Sequence, residues 1–272
     1  MHSEKIAILY ICTGKYSVFW QEFYERSQQY LFTEFQKHFF VFTEDPAIVT
    51  SDHVSVVFKE TKGFPHDSLF RYHYFLEIEQ SLLSYDYIYF FNANISFLDF
   101  IGEEFLPTKK KSSNLVAVKH AGYFTKHPIF FPYERSPKSL AYLPYKKGII
   151  FGYYWGGVNG GCTAAYIQLC KTLCQWIEAD IKNNIMAVFH DESHFNKYIN
   201  LVGAQIMPST YGWPENWSSQ GDTKILIRDK VILDKTFKKQ TTNLLLRVLN
   251  ILKHLYSGLH WRFKFCFKFT IT

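Results

Sequence analysis

The segment His-Asp-Glu-Ser-His at residues 190–194 combines two carboxylates with two histidines four positions apart. Histidines at i and i+4 on a helix can bind zinc, but the zinc-protease pattern needs glutamate directly after the first histidine. Asp191 takes that position here and Glu192 follows it, so we expect no zinc. Two interpretations of the carboxylates stay open. They stabilise the positive end of a helix dipole, or one faces an electrophilic sugar carbon while its neighbour binds hydroxyls.

A second polar motif, Asn92-Ala93-Asn94, follows an aromatic segment at residues 85–91. Many nucleotide-sugar enzymes carry Asp-x-Asp at such a place, where the carboxylates hold a divalent ion against the diphosphate. Amides are weak ligands for Mg²⁺ and Mn²⁺. A diphosphate bound here would need cationic side chains instead, and Arg228 and Lys230 are available. We therefore expect no metal and no other cofactor.

Five glycines lie within residues 152–161, GYYWGGVNGG. Their spacing matches neither a phosphate-binding loop nor the dinucleotide fingerprint. Two explanations stay open: the glycines let the backbone approach a flat ligand closely, or they form bulges and tight turns.

Short apolar segments alternate with helical patterns, which is typical of an α/β fold. In open α/β sheets ligands bind outside the carboxyl ends of the strands. The polar residues that follow the first and fourth predicted strands should therefore face one crevice. Strands are predicted at 5–11, 38–43, 54–58, 85–91 and 115–119, and helices at 17–34, 69–83, 163–183 and from His190.

The composition is that of a globular protein, with 47% hydrophobic and 20% charged residues, and 272 residues suffice for one large domain. The 19% aromatic content fits either an aromatic core or surfaces that contact sugars. We see no signal-peptide pattern and no apolar run near the roughly 20 residues of a transmembrane helix, so we expect a cytoplasmic protein. The five cysteines form no C-x-x-C pair, and Cys170 and Cys174 are expected to pack in the core.

Positive charge is concentrated at the C-terminus. Residues 224–272 hold eleven Lys or Arg and two Asp, a local charge of +9 within a net charge of +6. We divide the chain into a single domain at 1–235 and a basic amphipathic tail at 236–272. The part from Leu244 to Phe269 mixes apolar and cationic residues, which suits a peripheral contact with the inner face of the cytoplasmic membrane. A packed or disordered C-terminus is the alternative.

In their order along the chain, these motifs resemble glycosyltransferase family 6, which contains the histo-blood-group A and B transferases and the α-1,3-galactosyltransferase. The similarity is strongest to bacterial members with Asn-x-Asn and covers about residues 5–232. It rests on ILYICTGKY, SLFRYHYFL, YFFNANISF, KHAGYF, YERS, AYLP, YYWGGVNGGC, HDESHFNKY and ILIRDK. The resemblance implies a GT-A fold, a Rossmann-like mixed sheet flanked by helices. It also implies transfer of Gal or GalNAc from UDP with retention to form an α-1,3 linkage.

The resemblance also implies roles for individual residues. Glu192 matches the catalytic carboxylate, as nucleophile or oxocarbenium stabiliser, and Asp191 the carboxylate that binds donor hydroxyls. Residues implied to bind the UDP-sugar are Ile11, Thr13, Tyr16, Arg71, Asn92, Asn94, Trp155, Gly156, Gly157, Arg228 and Lys230. Residues implied to bind the acceptor are His120 and Phe189. The Asn-x-Asn form resembles the metal-independent members.

The resemblance implies that the segment of Trp155, Gly156 and Gly157 senses the C2 substituent of the sugar. A small residue at the Gly157 position goes with GalNAc in that family, so we predict UDP-GalNAc as the donor. Trp155 could shrink that pocket, which makes a UDP-Gal-specific enzyme the alternative. Phe189 replaces a Trp that often precedes the His-Asp-Glu trio. The expected acceptor is a galactose-terminated, fucosylated oligosaccharide or glycolipid, and no nucleic acid is expected to bind. Two other classes stay open: a non-catalytic glycan-binding protein, and an inverting GT-A transferase with a general base near the acceptor.

Overall fold

The computed structural model shows a mixed α/β fold, which confirms the predicted fold class. It describes residues 4–108, 113–218, 220–233, 237, 252 and 255–262. The strands are β1 Lys5–Ile11, β2 Gln36–Thr43, β3 Val54–Phe58, β4 Tyr87–Phe91, β5 Ile95–Phe97, β6 Leu115–Lys119, β7 Tyr154–Cys162, β8 Gln205–Met207, β9 Trp213–Pro214 and β10 Ile225–Ile227. The named helices are α1 Trp20–Tyr30, α2 His66–Leu69, α3 Arg71–Glu77, α4 Glu79–Leu82, α5 Thr163–Lys182, α6 His190–Val202 and α7 Lys230–Leu233.

Seven strands form the main sheet in the order β3-β2-β1-β4-β7-β6-β8. Strands β3, β2, β1 and β4 are parallel neighbours, whereas β7 runs antiparallel to both β4 and β6. A smaller sheet has the strand order β5-β10-β9. Along the chain, β5 follows β4, whereas β9 and β10 come near the end of the domain. Because β7 is antiparallel, its first residues lie at the edge where β1 and β4 end.

Strand β1 is buried on both faces, which explains its unbroken apolar sequence. Ile6, Ile8 and Tyr10 belong to one aromatic-rich core cluster together with residues of α1, and Ala7 and Leu9 belong to another together with residues of α3, α5 and α6. Helices therefore cover both faces of the sheet. The aromatic surplus in the composition is used largely in these two clusters.

The predicted strands at 5–11, 54–58 and 115–119 are confirmed with their bounds, and those at 38–43 and 85–91 are shifted at one end by two residues. The predicted helix at 17–34 begins as a 3-10 turn and ends at Tyr30. There the Lys37 ammonium binds the carbonyls of Ser27 and Leu31, and Phe32 takes a left-handed conformation with φ 48°. These contacts satisfy the last carbonyls of α1 and turn the chain.

The prediction of one helix at 69–83 is wrong. Three short helices, α2 to α4, occupy this region, and the chain leaves helical dihedrals at Phe70 and Ile78. Cys170 and Cys174 are buried in the core, as predicted.

The glycine-rich segment forms β7, in the middle of the sheet. A Cβ on Gly160 would lie 2.2 Å from the Tyr89 ring, and a Cβ on Gly157 would lie 2.3 Å from the Trp155 indole. The pairing of β7 with β6 also shifts register between Ala117 and Val118. The bulge of the second explanation is therefore present, and these two glycines make room for aromatic side chains of the protein itself.

None of the helices in the part of the chain that the structure describes is long and apolar enough to span a membrane. The predicted amphipathic tail lies mostly outside the described residues. Residues 255–262 are helical, and Trp261, which is 5% exposed, joins a third cluster with Phe131, Tyr133 and Leu143. This part of the tail packs against the domain, and the membrane contact stays a prediction.

Candidate active site

A cleft of about 410 Å³ opens at the carboxyl ends of β1 and β4. The first residues of β7 and of α6 line its other side. The crevice predicted from the sequence is therefore present, with residues after β1 and after β4 on its wall. Of the predicted site residues, the cleft brings together Ile11, Thr13, Tyr16, Arg71, Asn92, Trp155, Gly156, Gly157, Phe189, Asp191, Glu192 and Lys230. Asn94, His120 and Arg228 lie elsewhere.

Glu192 is held at the cleft by two hydrogen bonds. The backbone N–H of Gly156 donates to Oε2 at 2.8 Å, and the Tyr153 hydroxyl donates to Oε1 at 2.7 Å. Burial raises the pKa of Glu192, while these two donors act to lower it. A Cβ on Gly156 would lie 3.3 Å from Oε2, which is a tight contact. The absence of a side chain at Gly156 therefore eases the approach of its backbone to the carboxylate. Tyr153, which the sequence analysis missed, precedes the strand that carries Gly156.

Asp191 lies beside Glu192 and is 3% exposed. Its Oδ2 is 3.0 Å from Nε of Arg71 but makes no hydrogen bond within the described chain, because that N–H donates to the Ser68 carbonyl. Burial raises the pKa of Asp191 to about 6, and the Arg71 charge opposes that shift. A buried carboxylate oxygen that accepts no hydrogen bond, at the wall of a cleft, can accept one from a hydroxyl of a bound ligand.

Arg71 connects Asp191 to the sheet. Its Nη1 donates to the Gly156 carbonyl at 3.0 Å, and its guanidinium lies 4.8 Å from the Phe90 ring centroid. The two backbone groups of Gly156 therefore bind opposite charges, the N–H at Glu192 and the C=O at Arg71.

The start of α6 is fixed by a buried network. His190 has φ 47°, and its carbonyl lies 3.0 Å from Nδ1 of His194. Nε2 of the same ring lies 3.1 Å from Asp180, whose other contacts include the Ser139 hydroxyl. Of the two histidines that resemble a zinc motif, His194 takes part in this buried network, whereas His190 lines the cleft. The described residues contain no cluster of metal-ligating side chains.

The opposite wall contains Tyr16 and Lys230, which are 214 positions apart in sequence. The Lys230 ammonium donates to the Tyr16 hydroxyl at 2.8 Å and lies 4.5 Å from its ring centroid. Thr13 binds Asp67, which also accepts from Thr61. Asp67 and Thr61 were missed because isolated polar residues in a loop carry no pattern.

The two asparagines of Asn92-Ala93-Asn94 bind each other. Asn92 Nδ2 donates to Asn94 Oδ1 at 2.7 Å, and Asn94 Nδ2 donates to the Arg228 carbonyl at 2.8 Å. Asn92 lines the cleft, whereas Asn94 is only 3% exposed. Arg228 forms ion pairs with Glu22 and Glu215. Its side chain is therefore neutralised outside the cleft, and its predicted contact with UDP is not supported by this arrangement.

A second cavity, of about 320 Å³, adjoins the first at Trp155, which lines both. It contains His120, Lys126 and Trp217. The Gly122 N–H donates to Nδ1 of His120 at 3.0 Å, and burial lowers the pKa of that imidazole to about 4. The neutral ring therefore carries its proton on Nε2, which is free to donate to a ligand hydroxyl.

Two adjoining cavities, one with a carboxylate pair and one with aromatic walls, are suited to two carbohydrate substrates. The model of the family described as Glycosyltransferase family 6 matches residues 2–230. The chain belongs to glycosyltransferase family 6. The O-antigen biosynthesis glycosyltransferase WbnI of Escherichia coli is similar, 37% identical over 228 residues that cover 83% of this chain and 94% of that protein.

Vertebrate relatives of this family 6 glycosyltransferase are more distant. The Histo-blood group ABO system transferase 1 of Rattus norvegicus is 29% identical over 225 residues, 79% of this chain and 62% of that protein. The Globoside alpha-1,3-N-acetylgalactosaminyltransferase 1 of Homo sapiens is 26% identical over 231 residues, 81% of this chain and 64% of that protein. The family and the mixed sheet together show a single GT-A-like glycosyltransferase domain.

The raised pKa of Asp191 predicts how the stability of this glycosyltransferase depends on pH. The pKa is 3.8 in an unfolded chain and about 6 in the folded one, so between these values the native state binds more protons. The free energy of unfolding therefore falls as the pH rises through this window. From about pH 4 to about pH 6.5 we expect the wild type to lose at least about 1.4 kcal/mol relative to Asp191→Asn, the equivalent of one pKa unit.

Urea unfolding at a series of pH values measures this difference. Asp52→Asn, at an exposed position, is the matched control and should follow the wild type. Parallel profiles for the wild type and Asp191→Asn would contradict the prediction.

Proposed function

We propose that this enzyme is a retaining α-1,3-glycosyltransferase that moves a galactose-type sugar from UDP to a galactose-terminated glycan. The observation that carries the proposal is the position of Glu192, held by the Gly156 N–H and the Tyr153 hydroxyl beside Asp191, in a cleft at the strand ends. The names of the relatives support a hexose as the transferred group. A carboxylate fixed at a cleft can stabilise the positive charge that develops on an anomeric carbon.

In the proposed reaction, the bond between the anomeric carbon and the UDP oxygen breaks, and its electron pair leaves with UDP. The acceptor oxygen forms the new bond on the same face, and its proton passes to the departing phosphate. Glu192 faces the oxocarbenium-like carbon. Its two hydrogen bonds lower the nucleophilicity of its oxygens, which favours electrostatic stabilisation over a covalent intermediate. Asp191 binds donor hydroxyls through Oδ2, which lies beside the Arg71 charge but accepts no hydrogen bond.

The nucleotide is proposed to lie against Ile11, Thr13 and Tyr16 on the opposite wall. Lys230, which contacts Tyr16, supplies positive charge to the departing diphosphate. This revises the expectation from the sequence, which assigned that role to Arg228 as well.

Trp155 favours galactose over N-acetylgalactosamine. The prediction of GalNAc rested on free space beside Gly157, and the Trp155 indole occupies that space, because a Cβ on Gly157 would lie 2.3 Å from Cε2. An N-acetyl group needs more room than the hydroxyl it replaces. We therefore propose UDP-Gal as the preferred donor.

The acceptor is proposed to occupy the second cavity, with Nε2 of His120 donating to a hydroxyl and Trp217 contacting a sugar face. Relatives named for O-antigen biosynthesis and for the histo-blood group system support a glycan acceptor, and we propose the fucosylated oligosaccharide or glycolipid expected from the sequence. A glycolipid acceptor fits a cytoplasmic enzyme at the membrane surface, where the basic tail would contact anionic lipid.

The first prediction of this proposal concerns Glu192. Glu192→Gln should lower kcat by at least about two decades, because it removes a charge that acts mainly in the transition state. UDP binding, measured by titration calorimetry, should be unchanged. The control is Glu178→Gln, an exposed position paired with His73, which should retain full activity.

Near-normal turnover of folded Glu192→Gln would remove Glu192 from the mechanism. Absence of UDP binding by the wild type would instead support the glycan-binding alternative. The anomeric coupling of the product by NMR separates retention from inversion.

The second prediction concerns the donor. The wild type should have a higher kcat/KM with UDP-Gal than with UDP-GalNAc. Trp155→Ala should raise the relative use of UDP-GalNAc by about tenfold or more, the usual effect of opening an apolar pocket to an extra group. Gly157→Ala, which forces the indole to move, should change the ratio as well. A wild type that prefers UDP-GalNAc would show that Trp155 does not limit the pocket.

The third prediction concerns metal ions. The amides of Asn92 and Asn94 are neutral and bind each other, and Lys230 brings positive charge to the cleft. We expect activity to persist within about twofold in excess EDTA, and added Mn²⁺ to change it little, because amides bind hard cations weakly. Loss of activity on chelation with recovery on Mn²⁺ would show that other residues form a metal site.

A further inference from the structure

The helix at residues 255–262 lies outside the part of the chain that matches the family, which ends at residue 230. It is nevertheless packed tightly on the domain. Trp261 is 5% exposed, and its indole N–H donates to the Leu143 carbonyl at 2.7 Å. Gly258 lies so close to Ile129 that a Cβ there would be 2.1 Å from its carbonyl oxygen.

Polar contacts also hold the helix at 255–262 against residues 129–135. Arg135 donates from Nη1 to the Ser257 hydroxyl at 2.6 Å and from Nη2 to the carbonyls of Ile129 and Phe131 at 2.8 and 2.9 Å. Its guanidinium also lies 5.7 Å from the Trp261 ring. One arginine therefore joins the helix to the chain that precedes β7.

A chain of aromatic contacts leads from Trp261 to the reaction centre. Trp261 and Tyr133 have ring centroids 5.9 Å apart, and Tyr133 and Tyr153 are 5.8 Å apart. The Tyr153 hydroxyl donates to Glu192, and the Tyr153 ring lies 5.6 Å from His120. Tyr153 thus packs on a ring that Trp261 contacts.

We infer that the helix at 255–262 is a clamp on the acceptor side of the active site, and that Trp261 is a positioning residue for Tyr153. Without the indole, Tyr133 loses a packing partner, and Tyr153 loses the rigid support that aligns its hydroxyl with Glu192. The inference rests on the proposed function, since it assigns the acceptor to the cavity lined by His120.

The nucleotide side of the site provides an internal reference. Tyr16 packs against the core cluster of β1 and α1, whereas Trp261 belongs to the separate cluster of Phe131 and Tyr133. Loss of the clamp should therefore weaken acceptor binding and lower turnover, and it should leave UDP binding unchanged.

The experiment compares four variants of the full chain. Trp261→Ala removes the indole, and Trp261→Phe keeps a ring in the cluster but loses the hydrogen bond to Leu143. Gly258→Ala moves the helix away from Ile129 without removing an aromatic side chain. Tyr256→Ala, on the same helix and 72% exposed, is the matched control.

For Trp261→Ala and Gly258→Ala we expect kcat/KM for the acceptor to fall at least about tenfold, a loss that a small misplacement of catalytic groups produces. Their Kd for UDP should stay within about twofold of the wild type. Trp261→Phe should recover most of the activity, and Tyr256→Ala should equal the wild type. Unchanged acceptor kinetics in Trp261→Ala, or equal losses in UDP binding and acceptor kinetics, would overturn the clamp.

Hydrogen exchange of amides in residues 129–153 tests the clamp without catalysis. Faster exchange there in Trp261→Ala and Gly258→Ala, with Tyr256→Ala unchanged, supports it, and identical exchange in all variants overturns it. If the wild type neither binds UDP nor transfers a sugar, the proposed function fails, and the exchange result still decides whether the clamp exists.

Discussion

Two adjacent carboxylates at the wall of the cleft, one buried and one half-buried, are the electrostatic constraint on which the rest of the site depends. Removing a carboxylate from water is costly unless a charge or hydrogen-bond donors replace the solvent. Glu192 receives two donors, whereas Asp191 has the charge of Arg71 nearby and an oxygen left without a donor. The strand β7 supplies the essential backbone group at Gly156, so the glycine-rich sequence and the acidic motif belong to one structural unit.

The sequence predicted the elements whose periodicity is strong and local. The apolar runs of β1 and β6 have the length of a strand and form buried strands, as predicted. The acidic motif lies at the start of α6, as its pattern indicates. The prediction of one helix at 69–83 was wrong because the chain leaves helical dihedrals at Phe70 and Ile78. No glycine or proline marks those two positions in the sequence.

Residues that lie at the candidate site were predictable where a motif carries them, and they were missed where only a tertiary contact brings them there. Tyr153 and Asp67 act through partners 39 and 54 positions away, a separation that no local pattern records. Arg228 shows the limit of a motif, and its contact with UDP stays an untested prediction. It stands in the same short motif as Lys230, but its guanidinium is bound by Glu22 and Glu215, which sequence spacing cannot indicate.

Trp155 is the shared wall of the two cavities, and its indole lies against both Gly157 and Gly212, where side chains would collide with it. Under the proposed assignment of donor and acceptor to these two cavities, the two substrate preferences are not independent traits. A mutation that widens one cavity by moving this ring also reshapes the other, so changes of donor and of acceptor should show epistasis. Laboratory evolution toward a new sugar would then favour combined substitutions among positions 155, 157 and 212, selected together against both substrates.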